Sequence, residues 1–150
     1  MTLSEIKTIF KDTALAHVEV NTFDFGETFE AAINGNYEYP AIFMELPIPI
    51  QYSNDGKRKT LNIAIDIYDL TEFDSKDKDY DAFSNCEVIG DAYFSKLEAD
   101  NKTSFRITDV NAITFRNQTD DDLAGIRYEV TLITSRDYCG SNYEDQFEDC

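Results

Sequence analysis

The chain has 150 residues, 42 % of them hydrophobic, with 11 Phe and 9 Tyr, and carries a formal charge of −17 from 30 carboxylates against 13 Lys and Arg. That length implies one domain burying about 68–70 % of its unfolded surface, and the aromatic content excludes a disordered chain. The carboxylate excess disfavours general binding to DNA, RNA or an anionic membrane, because it repels phosphate within the screening length.

In chain order, Met1-Thr2-Leu3-Ser4-Glu5 lacks the basic start and apolar run of a signal peptide, and no apolar run approaches bilayer length. The expectation is a soluble protein. Thr2 and Glu5 have the spacing of a capping box, and Leu3, Ile6, Phe10 and Ala14 form one apolar stripe, which predicts a helix to about His17. His17 is the sole histidine and reads as a helix-end residue rather than a catalyst. Residues 18–36 are ambiguous: Asp24-Phe25-Gly26-Glu27 reads as a turn among Phe23, Phe25 and Phe29, and Asn34-Gly35-Asn36 as a second.

A first strand is expected over Tyr37–Leu46, bounded by Pro40, Pro47 and Pro49 and partly at an edge, since proline donates no ladder hydrogen bond. Ser53-Asn54-Asp55-Gly56 is a hairpin turn, followed by Lys57-Arg58-Lys59, the basic cluster of an acidic chain. With Pro47, Pro49 and Tyr52 these residues are candidate contacts to an acidic neighbour, against the blander reading of a solubilising loop tip. The organising stretch is Leu61–Leu70, where Leu61, Ile63, Ile65 and Ile67 share one face and Asn62, Ala64, Asp66 and Tyr68 the other. It predicts a core strand with one wetter face; Asp66 and Asp69 are candidate acid/base or metal groups, with solvated strand carboxylates the commoner case.

Residues 71–81 hold Glu72, Asp74, Asp77, Asp79 and Asp81, but an EF-hand begun at Asp77 places Ala82 where the loop needs Gly and Val88 where it needs Glu. An acidic solvated loop is expected instead, capped at Asp79 or at Ser84-Asn85-Cys86-Glu87, before a helix whose face runs Phe83, Cys86, Ile89 or Gly90, Tyr93 and Leu97. Gly90 would let it approach the sheet closely, and Cys86 reads as core. A strand over 105–115 is expected to change face near Asp109, at a bulge; a loop at Asn117–Asp122 precedes an antiparallel strand over Leu123–Tyr138. Ile126, Tyr128, Val130 and Leu132 lie on one side of it, with Arg127, Glu129, Thr131 and Ile133 on the other. Asp74, Asp77, Asp79, Asp120, Asp121 and Asp122 are the acidic-surface candidates.

Cys86, Cys139 and Cys150 lack metal spacing and suit a reducing compartment, with a Cys139–Cys150 bond left open. The sequence predicts an α+β domain over 1–140, in the order helix-strand-strand-helix-strand-strand, its mostly antiparallel sheet packed by two helices, and an acidic tail over 141–150. Catalytic motifs of hydrolases, P-loop and dinucleotide enzymes and zinc proteases are absent from the sequence, so no enzyme activity and no cofactor or metal are expected.

The run His17–Glu27 after an N-terminal helix, Tyr39-Pro40 opening a strand and Leu123-Ala124-Gly125-Ile126 opening the last one resemble neck and tail proteins of tailed phages of gut bacteria, including crAss-like phages. The likeness is to tail-terminator and head-tail connector subunits. It implies a ring of six or twelve copies in the virion neck, assembled in the host bacterial cytoplasm beside portal, connector or tail proteins. Such a ring conducts genomic DNA without binding it specifically. An acidic lumen suits that passage; the alternative expectation is an acidic DNA mimic that inhibits a DNA-binding host factor.

Overall fold

The computed structural model describes residues 1–27, 38–72, 75–118 and 122–136, with the backbone alone at 117 and 118. The elements are α1 (Leu3–Ala16), β1 (Thr22–Gly26), β2 (Ala41–Glu45), β3 (Ile50–Tyr52), β4 (Arg58–Leu70), α2 (Lys76–Asp100), β5 (Phe105–Gln118) and β6 (Asp122–Ser135). They form an α+β fold: two helices and one six-stranded sheet of order β1-β2-β4-β6-β5, with β3 also paired to β4. Every described pairing is antiparallel except β1 with β2.

The expected capping box starts α1: the Glu5 N–H donates to Thr2 Oγ1 at 3.2 Å, and the Thr2 N–H donates to the Glu5 carboxylate at 2.5 Å. Reciprocal capping satisfies amides that the first turn leaves without partners. Ile6, Phe10 and Ala14 are buried as the stripe requires, whereas Leu3 is exposed. α2 crosses the same face of the sheet, burying Cys86, Ile89, Gly90, Tyr93, Phe94 and Leu97. Gly90 earns its place there: a Cβ would strike the Tyr128 ring of β6. The two helices are joined by the Tyr93 hydroxyl, which donates to the Phe10 carbonyl at 3.0 Å, and by edge-to-face packing of the two rings.

β4 is the central strand, paired with β6 over its whole length and with β2 and β3 along its other edge. Leu61, Ile63, Ile65 and Ile67 pack beneath the helices with Ile42, Met44, Ile126, Tyr128, Val130 and Leu132. The period-two reading of β4 and β6 therefore matches the core. The change of face in β5 also matches, since its register slips between Ile107 and Asp109.

Several expectations are corrected. The turn assigned to Asp24–Glu27 is largely strand: β1 runs through Gly26, ordered by parallel pairing with β2. β2 begins at Ala41 rather than residue 37 and lies between β1 and β4, buried throughout instead of partly at an edge. Pro40 and Pro47 bound it as expected, each after a cis peptide bond. β3 is an additional strand within the expected loop. α2 starts earlier than either expected cap, at Ser75, whose hydroxyl accepts from the Lys78 N–H at 3.3 Å. Asp77, Asp79 and Asp81 thus belong to the helix rather than a loop, and the first turn's carboxylates complement its dipole. β5 extends to Gln118 and β6 begins at Asp122, shortening the expected loop. Asp66 is not solvated but 7 % exposed. Phe29, the Asn34-Gly35-Asn36 turn, Asp74, Asp120, Asp121, Cys139, Cys150 and the 141–150 tail lie outside the described residues.

Candidate functional site

The helices cover one face of the sheet. Alternation sends Thr60, Asn62, Ala64, Asp66 and Tyr68 of β4 to the other face, where cross-strand register sets them beside Ile133, Thr131, Glu129, Arg127 and Gly125 of β6. This open face has two halves. In one, Ala41, Phe43, Tyr68 and Leu123 are buried as a second apolar cluster with Tyr39 and Phe115 against it. Gly125 permits the close strand approach there, because a Cβ would stand 2.7 Å from the Tyr68 Cα. In the other half Asn62, Asn111 and Glu129 are exposed, and Ile113 is 66 % exposed.

A charged group lies between the halves. Glu45 at the end of β2 is 4 % exposed and forms an ion pair with Arg127 of β6 at 2.9 Å. Asp66, cross-strand partner of Arg127, hydrogen-bonds Glu45. Desolvation first, and then the Glu45 charge, push the Asp66 carboxyl up to about 7 against the opposing pull of Arg127. Arg127 also lies 3.9 Å from Glu129. Beside it a cleft of about 310 Å³ opens between Pro47 and Pro49 on one wall and Asn62, Asn111 and Thr131 on the other. The two prolines singled out in the sequence therefore border the open face. The sequence flagged Asp66, but not its partners, because Glu45 and Arg127 converge only through strand pairing.

The basic cluster sits at the β3–β4 hairpin. Ser53 and Asp55 brace its turn, with the Lys57 N–H donating to Asp55 Oδ1 at 3.0 Å, and Gly56 adopts φ 70°. Lys57 and Arg58 are exposed. Lys59 points to the helix side, where its ammonium donates to the Met1 carbonyl at 2.6 Å. Tyr52 is 52 % exposed, and Arg136 lies over its ring at 5.0 Å. Arg136 joins the cluster from the end of β6, with its N–H donating to the Lys57 carbonyl at 2.7 Å. Its sequence separation from the hairpin hid it; the β4–β6 register that places Ser135 opposite Arg58 reveals it.

The acidic candidates gather at the opposite end of β4. Asp77 and Asp81 are exposed on α2, and Asp122, partly buried, begins β6. Asp79 is engaged: it accepts from the Thr71 hydroxyl at 2.7 Å and pairs with Arg116 at 3.0 Å. These bonds, the Thr71 one foremost, hold its carboxyl below the usual range. The other strand carboxylate, Asp69, accepts from the Asn85 amide at 3.3 Å.

Among the described residues no group of three or more His, Cys, Asp or Glu side chains is placed to hold a metal ion. The Cys86 thiol is buried and pushed up to about 12, by desolvation and secondarily by Asp69, which suits packing rather than nucleophilic chemistry. His17 caps α1, its Nδ1 accepting from the Glu19 N–H at 3.1 Å. No described helix is long and apolar enough to cross a membrane. No protein-family model matches the chain, and no curated protein matches it in sequence.

Proposed function

We propose that the chain is a structural ring subunit of a phage neck, a tail-terminator or head-tail connector protein that joins the portal side to the tail and conducts DNA without catalysis or a cofactor. The observation that carries this reading is the subunit's two-sidedness. Its outer helix α2 has seven carboxylates against three lysines. The open face of the sheet instead sets Arg58, Arg106 and Arg127 against Glu45, Asp66, Asp109 and Glu129 among small polar and apolar side chains. An acidic side suits a passage for DNA, since a cationic lining would hold phosphates through counterion release, and a charge-balanced side suits contact with protein. The likeness of His17–Glu27 and Leu123–Ile126 to neck and tail proteins points the same way.

Within this reading the copies assemble as a ring of six or twelve, flanked by portal, connector or tail proteins. The tail-terminator arrangement of its helices and sheet belongs to the same proposal. Lys57 and Arg58 at the hairpin tip meet acidic surface of a neighbour, and Asp77 and Asp81 face the channel.

Native mass measurement of the purified chain tests the assembly, and mass spectrometry of purified particles tests its place. Closed rings and presence in the virion are expected. Lys57→Glu with Arg58→Glu should weaken assembly, less so at high salt where the contact is already screened. A chain that stays monomeric or dimeric, is absent from particles, and competes with DNA for a host protein would overturn the ring reading in favour of a DNA mimic.

A further inference from the structure

We propose that the acidic segment 137–150 of each copy docks on the basic end of its own sheet and covers that end in the lone subunit. This inference does not depend on the ring reading; in a ring the segment gives way to the neighbour that Lys57 and Arg58 meet.

Strand pairing builds the basic end. Arg58 opens β4 opposite Ser135 of β6, and β5 sets Arg106 opposite Ile133, so two arginines flank the end of β6 on the open face. Exposed Lys57 at the hairpin, Lys102 in the turn before β5 and Arg136 just after β6 stand around them, with Lys59 on the helix side. These are six of the 13 Lys and Arg of a chain whose net charge is −17. Three carboxylates at this end are already engaged: Asp55 with its own turn, Glu5 with the α1 cap and Asp100 with Lys96. Glu98 on α2 and Asp109, beyond the β5 bulge, still leave a positive excess. Among the described residues Lys57, Arg58, Lys102 and Arg106 take part in no ion pair. Beside Arg58 a cleft of about 280 Å³, lined by Gln51, Tyr52, Thr60 and Ile133, has room for one aromatic side chain.

The segment suits this end by charge and by tether. Residues 137–150 carry five carboxylates, no Lys or Arg, and the aromatic residues Tyr138, Tyr143 and Phe147. They follow Arg136, which is pinned inside the patch: its N–H donates to the Lys57 carbonyl at 2.7 Å, and its guanidinium lies over the Tyr52 ring. A chain of that length reaches at most about 45–50 Å, whereas the patch spans about 15 Å from β3 to β5. So short a tether gives an effective concentration in the millimolar range, and a small contact area suffices. A separate polyanion is repelled by the net charge as it approaches; a tethered segment is already there.

Zero-length carbodiimide coupling of the whole chain tests this, at a dilution where it is monomeric and with equal parts of normal and heavy-nitrogen protein. Lys57 and Lys102 should couple to Glu144, Asp145, Glu148 or Asp149 within one copy, well above exposed Lys76 and Lys78 at the other end of β4. Arg58→Gln with Arg106→Gln, both exposed positions, should lower the Lys57 yield about tenfold and leave the Lys96–Asp100 coupling unchanged. Far-ultraviolet circular dichroism verifies that the variant is folded. Yields at Lys57 and Lys102 no higher than at Lys76 and Lys78, or unchanged in the arginine variant, would overturn the docking. Couplings that join normal to heavy chains would overturn the contact within one copy and assign the segment to a neighbour.

Discussion

The two faces of the sheet are built from the same strands, yet they solve burial differently. Beneath the helices Leu61, Ile63, Ile65 and Ile67 of β4 form an aliphatic row, each 0–1 % exposed, locked by α1 and α2. On the open face the same strand passes from exposed Asn62 through buried Asp66 to buried Tyr68 within seven residues. A strand's alternation reports which side is always dry; it says less about a side that changes from wet to dry along its length.

The contrast breaks most sharply at Phe10 and Ile113. Phe10 is 0 % exposed and touches Tyr93 and Phe105, so Phe10→Ala should cost about 3–5 kcal/mol. Ile113→Ala, on the open face, should stay within about 0.5 kcal/mol. Urea titration of both variants under conditions that keep the chain monomeric checks the difference, and comparable losses would mean that the open face is as tightly packed as the core.

Asp66 sharpens the comparison through pH. Its folded-state carboxyl titrates near 7, above the ordinary 3.8, so between those values the folded chain holds a proton that the unfolded chain has released. This contribution is fully present below about pH 4 and is lost as pH rises through 7, with no further change above it. Asp66→Asn should remove that slope and stabilise the fold at pH 8 by about 1–3 kcal/mol. Denaturation curves of both proteins from pH 4 to 8 check it; parallel profiles would mean that Glu45 and Arg127 do not hold Asp66 as described.

A smaller loss than that of Phe10→Ala is expected elsewhere in the helix layer. Tyr93→Phe keeps the ring packing and removes only the hydrogen bond to the Phe10 carbonyl, for an expected loss of about 1 kcal/mol by the same titration.

What was legible in the sequence follows from these contacts. Thr2 and Glu5 and the alternation of Leu61–Ile67 and Ile126–Leu132 act through neighbours in sequence or a regular period, and Gly90 falls on the helical period that faces the sheet; each holds in the structure. The turn at Ser53–Gly56 is likewise local. β1 was hidden because five residues become a strand only beside β2, and β2 was misplaced at an edge because its prolines stand just outside it. The Asp79–Arg116 pair and the meeting of Glu45, Asp66 and Arg127 join residues far apart in sequence. Arg136 reaches Tyr52 the same way. No periodicity encodes such meetings.

In the proposed ring the acidic helix side of the subunit borders a DNA channel. A density map of the assembled phage neck tests it most directly. The expected result is a ring of this chain with the outward face of α2, including Asp77 and Asp81, toward the channel and few Lys or Arg along its lining. A neck without this chain, or a ring that presents a basic lining to the DNA, would contradict it.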